Sequence, residues 1–231
     1  MNVLHVVMAY SALELVPREI ASHPQVVSYA KRRNKPPTKV ILDKSYHFHA
    51  MSKLKDKEKR GRPDMVFAFL LAALSSPLNA MGKLRVYVHT LQDYVIIVNP
   101  KTKPIRSYDR FLGIMEKLFE EGRVPSEGEP LMELKNMSLE RLIKNHIGAD
   151  GLILLEPNAP LKHPVEIARE ASEGLPVVVQ GFPRGDFGLD AYKLARDKAY
   201  VFPQLLDSWM VADRIICAYE NFILADRRSY K

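Results

Sequence analysis

The sequence predicts an α/β fold built on a largely parallel sheet. Short β-branched runs bounded by Gly, Pro, Asp or Asn recur along the chain, helical periodicity fills the stretches between them, and the two alternate almost throughout. With 231 residues, 47% of them apolar and 26% charged, the chain is not disordered as a whole. A protein of this size buries roughly 70% or more of its unfolded surface, so its core needs no covalent staples.

Residues 3–8 read as the first strand, followed by a helix over 18–32, a short strand over 40–42 and a helix over 45–54. Pro63 stands where a first-turn proline belongs. It opens a helix over 63–74 that is apolar around its whole circumference and must be covered on all sides. Strands over 85–90 and 94–98, joined by Leu91-Gln92-Asp93, read as a local antiparallel hairpin, and a helix over 109–121 follows. Pro125, Gly128 and Pro130 interrupt any helix between Val124 and Ser138, which reads as a linker or surface loop within one compact fold. Beyond it come a helix over 138–147, a strand over 152–155, a helix over 165–171, strands over 177–179 and 199–202, and a helix over 208–224. In that last helix Trp209, Ala212, Ile216, Tyr219 and Ile223 form a narrow apolar seam, either packed on the chain's own sheet or offered to a second subunit.

Several chemistries are excluded. The single cysteine, Cys217, permits no internal disulfide and no thiolate-rich zinc site, which suits a reducing, cytoplasmic setting; it lies among apolar residues and reads as core. The seven histidines are scattered, and His47 and His49 have no third ligand at metal spacing, so no metal is expected. Residues 1–8 are apolar but lack the flanks of a signal peptide. The longest apolar run, 65–74, has ten residues where a membrane helix needs roughly 20, so no membrane partner is expected.

A formal charge of +7 favours a polyanionic partner if the charge is clustered, and it is. Lys31-Arg32-Arg33-Asn34-Lys35 reads as a solvated face. The segments 53–62 and 101–110 carry more information. Arg62-Pro63-Asp64 sets a guanidinium beside a carboxylate at a helix start, and an Arg held by Asp loses less rotamer freedom on meeting a phosphate or base edge. Arg106 and Arg110 share one face if their helix begins by Ser107. Tyr108 between them offers a stacking surface for an unpaired base, a pattern that points to RNA.

A second region suits a small ligand. The strand Val177-Val178-Val179 runs into Gln180-Gly181-Phe182-Pro183-Arg184-Gly185, which matches neither the dinucleotide fingerprint nor the P-loop. Irregular segments also follow Leu154-Leu155 and begin at Val201. Three such loops at the carboxyl edge of a parallel sheet make a mostly apolar slot lined by backbone polar groups, better suited to adenine and a thioether than to a triphosphate.

Leu42-Asp43-Lys44-Ser45-Tyr46-His47, the run from Lys57 to Asp64, Ser76-Pro77-Leu78-Asn79, the run from Leu84 to Thr90, Arg106-Ser107-Tyr108-Asp109-Arg110-Phe111 and the loop from Gly181 to Phe187 together carry a resemblance. On these blocks and its Trp209…Tyr219-Glu220 helix, the chain resembles the pseudouridine N1-specific ribosomal RNA methyltransferases, ribosome-biogenesis proteins of the SPOUT class, and is similar to their archaeal members. The resemblance implies a single SPOUT domain over 1–231 with a family-specific insertion around 44–110, an inserted β-hairpin extension, and a deep C-terminal trefoil knot. It implies a homodimer and S-adenosylmethionine bound bent within the knot loops, against Leu155, Gln180, Gly181, Gly185, Val201, Phe202, Pro203, Gln204, Leu205 and Leu206. It assigns Arg62, Asp64, Lys103, Arg106 and Arg110 to contact with small-subunit (16S-type) ribosomal RNA. Gln180-Gly181 and Asp207-Ser208 depart from the family's smaller pairs, and Lys103 stands where Arg is frequent.

The N1–H of pseudouridine is a weak acid, so its nitrogen attacks a methyl group as the proton leaves. Arg62 and Asp64 are the catalytic candidates: Asp64 either takes the proton or orients Arg62, which stabilises the ring anion. Two other functions fit the same basic face. One is a non-catalytic assembly factor that docks ribosomal RNA; the other is a transfer-RNA methyltransferase of the same fold.

Overall fold

In the computed structural model, which describes residues 3–225, one eight-stranded mixed sheet organises the chain. Its strands are β1 (Leu4–Ser11), β2 (Leu84–Thr90), β3 (Tyr94–Val98), β4 (Arg123–Val124), β5 (Met132–Asn136), β6 (Leu152–Leu155), β7 (Val177–Gln180) and β8 (Ala195–Ala199), in the order β4-β5-β3-β2-β1-β7-β6-β8. From β2 to β8 every neighbour is parallel; β3, β5 and β4 extend the sheet antiparallel from β2. The expected hairpin is present, with Val86 opposite Val98 and His89 opposite Val95.

Strand alternation divides the core. Leu4, Val6 and Met8 of β1, Val86 and Val88 of β2, and Val177 and Val179 of β7 point into one layer. Val7, Ala9, Tyr87 and Val178 point into the other. The first layer is covered by α3 (Pro63–Ser75), α5 (Tyr108–Glu121), α7 (Pro164–Ser172) and α9 (Ser208–Ala225), the second by α6 (Leu139–Arg141) and α8 (Leu189–Leu194). Of the remaining helices, α1 is Pro24–Arg32, α2 Lys44–His47 and α4 Pro77–Ala80. The all-round apolar helix α3 is indeed enclosed, with Val66, Phe69 and Ala73 wholly buried between the sheet and α9.

The local differences from the sequence reading have physical causes. The helix expected over 18–32 is a single turn, Arg18–Ile20, and then α1: Pro24 opens α1, and the His23 ring caps it by accepting the Gln25 N–H at 3.2 Å. The helix expected over 45–54 likewise divides into α2 and a turn at Ala50–Lys53. Residues 40–42 form no strand; Ile41 makes one bridge to Leu15 before Asp43 caps α2. The strand expected at 199–202 lies earlier, because β8 is an exposed edge whose Arg196-Asp197-Lys198 hides the apolar signal. The loop expected between 124 and 138 is an edge hairpin, β4 with β5, where prolines are tolerated because an edge strand needs fewer donors.

The seam on α9 packs within its own chain: Ala212, Ile216 and Tyr219 are buried in the first layer. Cys217 is not core but exposed, on the outer side of the same helix. Part of the first basic run is structural, since Arg33 and Lys35 meet the buried Glu116 at 3.1 and 2.8 Å.

Candidate active site and RNA face

The three parallel-strand ends predicted to approach one another do so. Leu155 and Pro157 after β6, Val179, Gln180 and Pro183 at the end of β7, and Leu205 and Leu206 after β8 surround a cleft of about 230 Å³, closed by Trp209 and Val211 of α9. A second hollow of about 230 Å³ adjoins it, sharing Pro157, Gln180, Pro183 and Leu205 and adding Glu156, Asn158 and Gly185. The walls combine aliphatic and aromatic side chains with the polar side chains of Arg62, Gln180, Asp207 and Ser208. This donor set fits a flat base and a thioether chain, and it carries no cradle for phosphates. The loop after β8 is clipped by Tyr200, whose hydroxyl accepts the Leu206 N–H at 2.9 Å. The Gln180 amide donates to the Phe182 carbonyl at 2.6 Å, fixing the turn out of β7.

Among the residues expected at the cofactor, Leu155, Gln180, Leu205 and Leu206 line the cleft, and Gly185 lines the adjoining hollow. Gly181 lies behind them, its N–H bonded to the Ala9 carbonyl at 2.8 Å and its carbonyl to the Ala12 N–H at 2.9 Å. Val201 is buried, Phe202 sits beneath the Arg214 guanidinium, and Pro203 and Gln204 are exposed on the loop. Asp207 and Ser208, the pair marked in the sequence as a departure from the family but not among the expected cofactor residues, also line the cleft, together with Arg62.

Arg62 joins this cleft to the basic surface. Its backbone N–H is held by the Ala12 carbonyl at 3.1 Å, and its guanidinium lies on the cleft wall beside Met65. Asp64, in the first turn of α3, grips it with both oxygens, at 2.8 Å to Nε and 2.7 Å to Nη2. That bond raises the Arg62 pKa above the ordinary guanidinium value, with burial opposing. Asp64 itself is not on the cleft wall.

Lys103, Arg106 and Arg110 lie exposed on the segment leading into α5, and their side chains have no hydrogen bond or ion pair among the described residues. Ser107 caps α5 by accepting the Arg110 N–H, so Arg106 precedes the helix instead of sharing a helical face with Arg110. Tyr108 is not a free stacking surface. Its ring packs on Phe67 and Phe111, and its hydroxyl donates to Asp43 at 2.6 Å, which together with burial pushes the phenol pKa up.

Asp43 is a buried hub. It also caps α2 through the Ser45 N–H at 2.8 Å, while its own N–H donates to Nδ1 of the buried His47 at 3.1 Å. Burial lowers the His47 pKa from 6.5 to about 4, outweighing attraction to Asp43. The unfolded chain therefore takes up this proton near pH 6.5 and the folded one only near pH 4. Stability should fall as pH drops through that window, by on the order of 2–3 kcal/mol. Urea unfolding at pH 7 and 4.5 should show that loss, and His47→Gln should show a flatter dependence. Equal pH dependence in the two proteins would remove His47 as the cause.

Elsewhere in the basic segment, Arg60 forms a two-bond ion pair with the nearly buried Glu14 at 2.7 and 2.6 Å, and Lys59 reaches the Asp186 carbonyl and covers the Phe182 ring at 4.8 Å. These two side chains tie the segment 57–62 to the body and to the glycine-rich loop, so their cations are structural.

Comparison with known proteins identifies the family. The EMG1/NEP1 methyltransferase family model matches residues 6–220. The chain is 45% identical over 224 residues to the ribosomal RNA small subunit methyltransferase Nep1 of Thermococcus onnurineus, covering 96% of this chain and 100% of that one. It is 41% identical over 220 residues to the protein of the same name from Staphylothermus marinus, covering 94% and 95%. The crystal structure of Archaeoglobus fulgidus Nep1 bound to S-adenosylhomocysteine matches with a TM-score of 0.84 at 34% identity, covering 97% of this chain and 100% of that one. This chain belongs to the EMG1/NEP1 methyltransferase family.

Proposed function

We propose that the protein transfers a methyl group from S-adenosylmethionine to N1 of a pseudouridine in small-subunit ribosomal RNA, acting in the cytoplasm as a homodimer during small-subunit assembly. The observation that carries this reading is the position of Arg62, which lies on the wall of the cleft and within the electrostatic reach of Asp43, the carboxylate that holds Tyr108 between the exposed Arg106 and Arg110. Bound in the cleft, S-adenosylmethionine supplies an electrophilic methyl group on a sulfonium.

The protein's own residues then have distinct tasks. Leu155, Leu206 and Val211 exclude water from the cleft. Lys103, Arg106 and Arg110 hold phosphates, and Arg62 places its fixed positive charge where the uracil ring gains negative charge as N1–H gives its proton to solvent water. Asp64 orients Arg62: both its oxygens are engaged by the guanidinium, a poor disposition for taking a proton. The target base must be unpaired or flipped to reach the cleft.

We read the C-terminal crossing as a trefoil knot in a single domain with the insertion around 44–110. The course of the chain supports this. After β8 the Tyr200 N–H bonds the Pro160 carbonyl and the Lys162 N–H bonds the Tyr200 carbonyl, beside the loop that follows β6, before α9 returns between α7 and α3.

Mass spectrometry of a short ribosomal hairpin incubated with protein and S-adenosylmethionine tests the reading. A gain of one methyl group is expected with pseudouridine at the target and none with uridine. Methylation of a uridine-containing transfer RNA instead would make the protein a transfer-RNA enzyme. Calorimetry should give micromolar affinity for S-adenosylhomocysteine; no binding, with ribosomal RNA still bound, would reduce the protein to an assembly factor.

A further inference from the structure

Beside the cationic face lies an aromatic surface whose exposure the fold does not explain. Phe48, just after α2, is 57% exposed and Tyr46 is 39% exposed. Tyr46 stacks on Tyr29 at 4.6 Å between ring centres, and the Lys44 ammonium lies 5.7 Å from the centre of the Phe48 ring. An aromatic ring left in water beside a cation is the arrangement that receives unpaired bases, each ring offering a π face and the cation a phosphate contact.

Two hydrogen bonds fix this surface relative to the proposed RNA face. The Lys44 N–H donates to the Gly61 carbonyl at 2.9 Å, next to Arg62. Asp43, immediately before Lys44, takes the Tyr108 hydroxyl between Arg106 and Arg110. Gly61 has φ +67°, a conformation that favours glycine, and a Cβ there would come within 3.3 Å of the Lys44 backbone nitrogen. The aromatic pair is thus joined through Asp43, Lys44 and Gly61 to the segments that carry Arg62, Arg106 and Arg110, and the Lys44 ammonium lies beside the Phe48 ring.

We infer that Phe48, with Tyr46 and Lys44, is a stacking platform for an unpaired nucleotide flanking the target in the RNA. The inference rests on the proposed RNA-directed function and deepens it. Tyr46 is braced by Tyr29, whereas Phe48, flanked by the His49 ring at 5.3 Å and the Lys44 ammonium, keeps more than half of its surface open to a base.

The test is fluorescence anisotropy of the full chain with two versions of the same hairpin, one with unpaired flanking nucleotides and one with those flanks paired. Phe48→Ala should raise Kd about 5- to 20-fold for the unpaired version and leave the paired version almost unchanged. The slope of log Kd against log salt should stay that of the parent, because no phosphate contact is lost. Phe48→Trp should restore affinity, and binding of S-adenosylhomocysteine should be unaffected by either change. Equal Kd for the parent and Phe48→Ala, or equal loss on both hairpins, overturns the inference; the first outcome would assign the patch to a protein partner. Arg106→Ala is the control for the underlying reading. If it weakens neither hairpin, the RNA face is misplaced, and the inference falls with it.

Discussion

Arg62→Ala should lose methyl transfer by a factor of about 10³ while binding S-adenosylhomocysteine as the parent does. Arg62 is one wall group of the cleft among many, so its removal leaves the apolar walls and the loop backbone in place. What disappears is the guanidinium that, among the described residues, lines the main cleft, where the charge of the ionising ring develops. Arg62→Lys should recover only part of the loss, because a single ammonium cannot keep both bonds to Asp64 and still present a planar edge. Asp64→Asn should be milder than Arg62→Ala, since it frees the guanidinium without removing it. In a radiolabel transfer assay, full activity of Arg62→Ala would refute the role. An Asp64→Asn protein as inactive as Arg62→Ala, with RNA and cofactor binding intact, would instead favour Asp64 as the base.

Sequence reading recovered the parts that obey simple periodicities. The parallel strands β6 and β7 are short apolar runs, β1 and β2 are rich in Val, and Pro63 marked the start of α3 because its ring suits the first turn. The edges were harder. β5 and β8 read Met-Glu-Leu-Lys-Asn and Ala-Arg-Asp-Lys-Ala, polar because one side faces water, and an edge strand carries little hydrophobic signal. The site divided in the same way. The strand-end loops were legible because a proline follows each strand and glycines follow β7. The partners of the charges were not: nothing local says that Arg60 belongs to Glu14, or that Tyr108 is spent on Asp43 across 65 residues of chain. Side chains that look alike in sequence therefore separate into structural cations (Arg33, Lys35, Arg60) and free ones (Lys103, Arg106, Arg110) only once the fold supplies the carboxylates.

Gly181→Ala should damage the cofactor cleft from behind, without touching its wall. A Cβ at this position would stand 2.5 Å from the Ser11 Oγ, 2.6 Å from the Ser11 Cα and 2.8 Å from the Ala9 carbonyl oxygen. Two of those atoms are backbone of β1, so no rotamer change relieves the collision, and Ser11→Gly should fail to rescue it. The chain can escape only by parting Gly181 from Ala9 and Ala12, the two hydrogen bonds that seat the turn out of β7. A loss of about 1–3 kcal/mol in stability is expected from this overpacking. A rise of at least about tenfold in Kd for S-adenosylhomocysteine should accompany it, as Gln180 and Phe182 move with the turn. Gly174→Ala is the matched control: it has φ +106° but open space around a Cβ, so it should cost about 1 kcal/mol through backbone strain and leave affinity unchanged. Calorimetry and urea unfolding on both variants separate the effects. Parental affinity in Gly181→Ala would mean that the turn can shift freely and that the cleft is not built on its contact with β1.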